Sequence, residues 1–456
     1  MKYILIGLIL IPFAIFSQKE DVFTYAEFID IVKKHHPIAY QSNLQVEKGQ
    51  AYLLKAKGGF DPKLDAAIDQ KYFKDKQYYS HINSKLKVPT WFGITAQAGY
   101  ETNEGVFLNP EFNSPNNGLF NAGLSITLGK GLFIDERRAE LKQGKIYLNS
   151  SELEQKVILN RLIYNASLTY WKWKTSYLKL QIYKNAITNA EIRLKGVKGS
   201  VTFGDKPAID TVEAKIILQN RQLNYYQAKF MMDNVRQKLN VYLWQAGFIP
   251  LELDSNALPV NDMDYEDNLG FFNDSLIDKH PEVLLYQNKI EIQKIENRLQ
   301  REGLKPTFNL SYDFINEPIG NNPFTDANMN NYKWGATFSY PLFIRKERAN
   351  VRLSEIMLKE TRANTELKKA SITYKVRGID GNIVNLGQQL EIANETIINY
   401  ERLFTSENTL FGIGESSVFL INYRESALIK SQLKAVEIYE QLLNNTQEYK
   451  YQLFVD

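Results

Sequence analysis

Four histidines (His35, His36, His81 and His280) and no cysteine leave this 456-residue chain poor in the residues that usually build a catalytic zinc or thiol site. A catalytic zinc site needs closely spaced His, Cys or carboxylate ligands, and a hydrolase elbow needs a nucleophile between glycines. Neither HExxH nor GxSxG occurs. His36 and His280 each precede a proline, Pro37 and Pro281, and this pairing reads as punctuation at a helix start. The charge run Asp135-Glu136-Arg137-Arg138 reads as a solvated helix start or as pairs between helices. These residues predict no enzyme, no cofactor and no metal.

The His-Pro pairs belong to something larger. Pro37 to Pro62 and Pro281 to Pro306 both span 25 residues, and the copies lie 244 apart. Leu132-Phe133-Ile134 with Arg138-Ala139 returns 210 residues later as Leu342-Phe343-Ile344 with Arg348-Ala349, and Gly204 returns as Gly414. The first copy therefore carries 34 extra residues between its front and its back. Repeats of about 200 residues are too long for a solenoid and imply a duplicated half-molecule.

Composition narrows the class. With 23% charged residues and a net charge of +3, the chain lacks the basic excess that nucleic acid requires. Met1-Lys2-Tyr3, the apolar run Ile4–Phe16 and the small residue Ser17 predict a signal peptide over 1–17. The absence of cysteine agrees with an oxidising compartment. No later run is long and apolar enough for a spanning helix, so any membrane insertion must use strands.

Period-two alternation predicts those strands. Leu64, Ala66 and Ile68, then Ile82, Leu86 and Val88, then Ile94, Ala96, Ala98 and Tyr100, then Phe120, Ala122, Leu124 and Ile126 each alternate with polar or small residues. In the second copy Phe308, Leu310, Tyr312 and Phe314 alternate in the same way, as do Tyr332, Trp334, Ala336, Phe338 and Tyr340. Leu153, Val157, Tyr164, Leu168, Trp171, Leu178 and Ile182 follow heptad-like spacing on a helix of some 65 residues, roughly 100 Å long.

The predicted organisation is a first repeat over 18–248, an inter-repeat segment over 249–271 and a second repeat over 272–456. The first holds a helix from Tyr25 to about Lys57, strands within 64–128, a long helix over 135–199 and a helix over 208–244. The second holds a helix over 273–302, strands within 307–341, a long helix over 345–410 and a last helix over 416–454. Strands of about 9–11 residues suit an outer membrane, yet so few cannot close a useful barrel, and open edges are not tolerated in lipid. The chain must oligomerise.

At this point the chain resembles the TolC-like outer-membrane efflux proteins. The resemblance rests on the duplicated helix–strand–strand–helix order, the prolines where the first helix meets the strands, Pro341-Leu342-Phe343, and the turns Phe203-Gly204…Asp210 and Phe411-Gly412-Ile413-Gly414…Ser417. It covers essentially the whole mature chain. It implies a mixed α and β membrane fold: a homotrimeric β-barrel in outer-membrane lipid, continuous with a long periplasmic α-helical barrel and built from two repeats. The family has four strands per chain; the extra residues around 80–102 read as one more hairpin, giving four core strands with a hairpin added, or six. The resemblance also implies a passive conduit for an efflux pump or type I secretion system, docking with a periplasmic adaptor and an inner-membrane pump. Gly204, Asp205, Lys206, Pro207, Gly412, Gly414, Glu415, Ser416 and Ser417 would be the adaptor-contact tips. Where some members carry gate acids, this chain has Leu420 and Tyr423; Asp210 and Glu213 stand at the equivalent places of the first copy, and Phe411 adjoins them in the second turn. The competing expectation is a coiled-coil scaffold, periplasmic or at the cell surface, without a pore.

Overall fold

The computed structural model describes residues 22–265, 273–318, 328 and 330–455. The leader expected over 1–17 lies outside them, as do residues 266–271 of the inter-repeat segment. The elements in chain order are α1 (Tyr25–His35), α2 (Pro37–Gly58), β1 (Lys63–Phe73), β2 (Lys76–Pro89), β3 (Ile94–Glu104), β4 (Leu119–Gly129), α3 (Glu136–Thr202), α4 (Ala208–Asn240), β5 (Trp244–Gln245), β6 (Ile249–Pro250), α5 (Pro281–Glu302), β7 (Thr307–Asn316), β8 (Tyr332–Ser339), α6 (Arg345–Gly412) and α7 (Val418–Leu453). The chain divides into two compact units. One comprises Gln41–Ile158 and Phe272–Lys375, the other Met1–Tyr40, Leu159–Phe271 and Val376–Asp456.

The first of these units holds the sheet. All six long strands form one antiparallel sheet in the order β1-β2-β3-β4-β7-β8. Of the two strand counts left open by the sequence, six is the one observed, with the extra hairpin inside the sheet. One hydrogen-bonded row runs from Lys63 at the foot of β1 through Lys87, Gln97, Gly123 and Asp313 to Lys333 near the far end of β8. That climb is the stagger of tilted strands that barrel closure requires. Alternation sorts the faces. One carries Leu64, Ile68, Ile82, Leu86, Leu124, Tyr312, Trp334 and Phe338, all exposed, and away from the loop ends it bears no charged side chain. The other carries Asp65, Asp69, Lys85, Lys87, Gln97, Asp313 and Lys333. On that polar face the Gln97 Nε2 donates to Asp313 Oδ1 at 2.6 Å, crossing over Gly123, which lies between them on β4. A Cβ at Gly123 would collide with the Tyr312 carbonyl oxygen and the Asp313 carboxylate, so the bridge needs glycine beneath it. Among the described residues no helix is long and apolar enough to cross a membrane.

The other unit is helical. Phe28, Val32, Leu162, Ala166, Tyr170, Trp173 and Leu239 form one of its buried clusters. The α3 face that enters this core is Leu162, Ala166, Tyr170, Trp173 and Tyr177. Of the expected heptad-like face, Leu153 and Leu178 are buried, while Val157, Tyr164, Leu168, Trp171 and Ile182 are only partly buried. Long apolar helices have two stripes here, and spacing alone does not say which one meets the chain's own core.

The single helix expected from Tyr25 to Lys57 is two helices. Pro37 removes an N–H and holds His36 extended at φ −67° and ψ 135°. His36 then caps α2: its Nδ1 accepts from the Ile38 N–H at 3.1 Å, while the ring hydrogen-bonds the Val241 backbone and stacks on Tyr242. The duplicate does the same, since His280 Nδ1 accepts from the Glu282 N–H at 3.2 Å at the start of α5. Residues 274–279, expected as the first turns of that helix, form a separate 3-10 turn.

A neutral ring is required for this cap, because protonation turns the Nδ1 acceptor into a donor. Burial holds the His36 pKa below its ordinary 6.5. The unfolded imidazole therefore takes up its proton first as pH falls. The cap's contribution, about 1 kcal/mol, is complete above pH 6.5 and is lost as pH falls through the folded value. His36→Asn keeps a capping acceptor that does not titrate, so it should flatten the fall in melting temperature between pH 7 and 5. An unchanged slope in thermal melts across that range would remove His36 as the source.

Candidate functional site

The two turns that join long helices are built alike. At the end of α3 the Asp205 N–H reaches the Ser200 carbonyl at 2.9 Å and the Gly204 N–H reaches Val201 at 3.1 Å. At the end of α6 the Glu415 N–H reaches Leu410 at 2.9 Å and the Gly414 N–H reaches Phe411 at 3.3 Å. This double bond pattern is a Schellman ending, which places one residue in the left-handed region. Gly204 and Gly414 occupy it, at φ +81° and +86°. A Cβ added to either, or to Gly412, would meet nothing within 4 Å, so the backbone of both turns is open. The next helix starts at the same offset in each copy. Pro207 stands at the start of α4 without a side-chain cap, and Ser417 caps α7 by accepting from the Leu420 N–H at 3.2 Å.

The turns meet each other within the helical unit. Lys206 Nζ sits 3.7 Å from the centre of the Phe411 ring, buried and without a hydrogen-bond acceptor. Its repeat counterpart Ser416 points instead into its own copy and donates to Glu407 Oε1 at 2.5 Å, while Arg424 Nε lies 3.7 Å from the other Glu407 oxygen. Phe411 also packs against a small core of Ala190, Val197, Ala214, Ile217 and Val418. Asp210 and Glu213 lie half-buried in the first turns of α4, with no ion pair among the described residues. Leu420 is half-buried and Tyr423 exposed, the latter with the Arg424 guanidinium 5.9 Å from its ring centre.

The most deeply buried ion pair among the described residues lies deeper and was not among the expected site residues. Glu425 on α7 is fully buried and pairs with Arg193 of α3, Nη1 to Oε2 at 2.9 Å. Arg221 of α4 approaches the same oxygen at 3.7 Å and donates to Ser426 Oγ at 2.9 Å. One carboxylate thus ties three helices. Burial lowers the Arg221 pKa from its ordinary value, and the Glu425 charge works against that loss. A signal was available: Glu425 interrupts the stripe Val418, Ile421, Leu428, where a charge must find a partner. Its partners, more than 200 residues away in sequence, were not readable.

Outward from the site, α4 presents Ile209, Ile216, Leu223 and Phe230, seven residues apart and each more than half exposed. This is a heptad seam with no partner within the described chain.

No family model and no curated protein matches the chain. Among solved structures it is similar to the CmeC outer-membrane channel of Campylobacter jejuni, with 16% identity over 94% of this chain and 85% of that one and a TM-score of 0.65. It is similar also to the MtrE outer-membrane channel of Neisseria gonorrhoeae in its open state, with 12% identity, coverage of 94% and 88%, and a TM-score of 0.68. The outer-membrane protein VceC of Vibrio cholerae gives 12% identity, coverage of 94% and 95%, and a TM-score of 0.66. At such identities the likeness establishes the fold: the chain has the fold of the TolC-like outer-membrane channels.

Glu425→Ala leaves two guanidinium groups buried without their anion. It should cost about 3–5 kcal/mol, read as an earlier loss of helical signal on heating. Replacing Arg193, Arg221 and Glu425 together by apolar residues of similar volume should recover most of that loss. Equal stability of Glu425→Ala and the parent protein would show that the triad carries no weight.

Proposed function

We propose that this protein is the outer-membrane channel of an efflux pump or type I secretion system: a passive homotrimeric conduit with a periplasmic helical extension. The observation that carries the proposal is the six-stranded sheet, with an apolar face free of charge away from the loop ends, a polar opposite face and two unpaired edges. An apolar outside and a polar inside are what a barrel in lipid needs. The exposed heptad seam on α4 asks for a second copy in the helical part. The solved structures of similar fold are outer-membrane channels, and their role is taken over here for this chain.

In this reading the paired glycine turns dock the periplasmic adaptor, which links the channel to an inner-membrane pump. Gly204 and Gly414 leave backbone open to close approach, and Asp205, Lys206, Pro207, Gly412, Glu415, Ser416 and Ser417 frame them. Asp210 and Glu213, both without an ion pair among the described residues, are the candidates for a ring of carboxylates at the tunnel mouth, and Phe411, Leu420 and Tyr423 for its apolar lining.

Purification from membranes in detergent should yield a trimer that conducts ions across a planar bilayer. A water-soluble monomer or a non-conducting trimer would favour the coiled-coil scaffold instead. Gly414→Ile puts a β-branched residue at a left-handed position and should abolish capture of the adaptor while leaving the trimer intact, as read by crosslinking in cells. Undiminished capture would remove the docking assignment.

A further inference from the structure

Two strands of the sheet are each paired on one side only: β1 and β8. β1 leads away from α2 and β8 leads back to α6, so a second copy placing its β1 beside β8 makes an antiparallel pair, like every neighbour within the sheet. The feet of β4, β7 and β8 are level, since Gly129 pairs with Thr307 and Thr307 with Ser339. Extending that row puts Lys63 of the second copy opposite Ser339.

We infer that the chain closes its barrel through this β8-to-β1 seam, in this register, with all six strands. On the polar face Asp69 of the second copy then faces Lys333; both are exposed, and neither has an ion pair among the described residues. Asp65, by contrast, is already held by Lys63 at 3.1 Å and Lys87 at 3.0 Å inside one copy. On the apolar face Leu64 meets Phe338, Ala66 meets Ala336 and Ile68 meets Trp334. The large members of these pairs are 64–72% exposed in the single chain. A slip of one residue would turn Asp69 and Lys85 towards lipid, so only even slips compete. A slip of two in one direction sets Lys71 against Lys333, like charge on like; in the other direction it leaves Lys333 opposite Ala67. Charge complementarity selects the level register.

The inference rests on the channel reading and adds a size to it. Six strands from each of three copies make eighteen, where the family resemblance implies four from each. Barrels of about 16–18 strands enclose an aqueous channel. The extra hairpin is therefore wall, and it widens the pore.

The chain contains no cysteine, so an introduced pair reports alone. Facing residues of neighbouring antiparallel strands stand about 4.5–5.5 Å apart at Cα, inside the span a disulfide bridges. Ala66→Cys with Ala336→Cys, oxidised in intact membranes, should move most of the protein out of the monomer band into linked dimers and trimers on a non-reducing denaturing gel. Each single variant should stay monomeric on that gel and trimeric in mild detergent. Ala66→Cys with Phe338→Cys reports the register two residues away and should link far less. Stronger linkage by that second pair overturns the register. Native trimers that neither pair links overturn the six-strand seam while leaving the channel reading intact. Single variants that are monomeric in mild detergent overturn both.

Discussion

An open sheet edge is the constraint from which the rest of this molecule follows. A strand paired on one side leaves a row of backbone N–H and C=O groups unsatisfied. Water relieves that in solution, but nothing relieves it in hydrocarbon. β1 and β8 both carry such an edge, while the sheet between them offers a face suited to lipid. In the proposed channel those two facts are reconciled only by another copy. The exposed seam of Ile209, Ile216, Leu223 and Phe230 on α4 makes the same demand by a different route, because apolar side chains gain nothing from water.

Duplication supplies the parts, and divergence between the copies supplies the differences. The helix-starting histidines and the two Schellman glycines keep the same geometry in both halves. Around them the chemistry departs. Lys206 crosses to the Phe411 ring whereas Ser416 stays with Glu407. Asp210 answers to Leu420, and the buried Glu425 answers to Lys215. Backbone geometry is thus symmetric where the chain must turn, and side-chain chemistry is asymmetric where the helices must tell one another apart.

The elements were legible because their signals are local. Period-two alternation in Leu64–Ile68 or Phe308–Phe314 follows from one wet face and one apolar face, and His-Pro and glycine mark helix ends through steric rules that need no partner. What was not legible depends on distant pairing. Nothing in the run from Tyr25 to Lys57 weighs a proline break against helical periodicity; the break wins because His36 finds both a cap and Tyr242 to pack on. Nor does α3 state which of its two apolar stripes is inward, since Tyr170 and Trp173 are no more apolar than Tyr164 and Trp171. The turn glycines were readable as turns. That Lys206 spans from one to the other was not.

The buried triad solves a problem that long helices create for themselves. Stripes that repeat every seven residues fit nearly as well after a slip of seven, so apolar packing alone leaves α7 free to settle one heptad out of place along α3 and α4. A single buried carboxylate removes that freedom. In register, Glu425 meets Arg193 and Arg221. One heptad away it would face Ala186 or Ser200 on α3 and Ala214 or Ala228 on α4, with its charge uncompensated. The desolvation cost makes such a triad a poor source of net stability, yet the same cost falls several times harder on every wrong register. The alignment of these three helices then sets the level of the two turns, Gly204 and Gly414, so one carboxylate on α7 governs how the two turns line up.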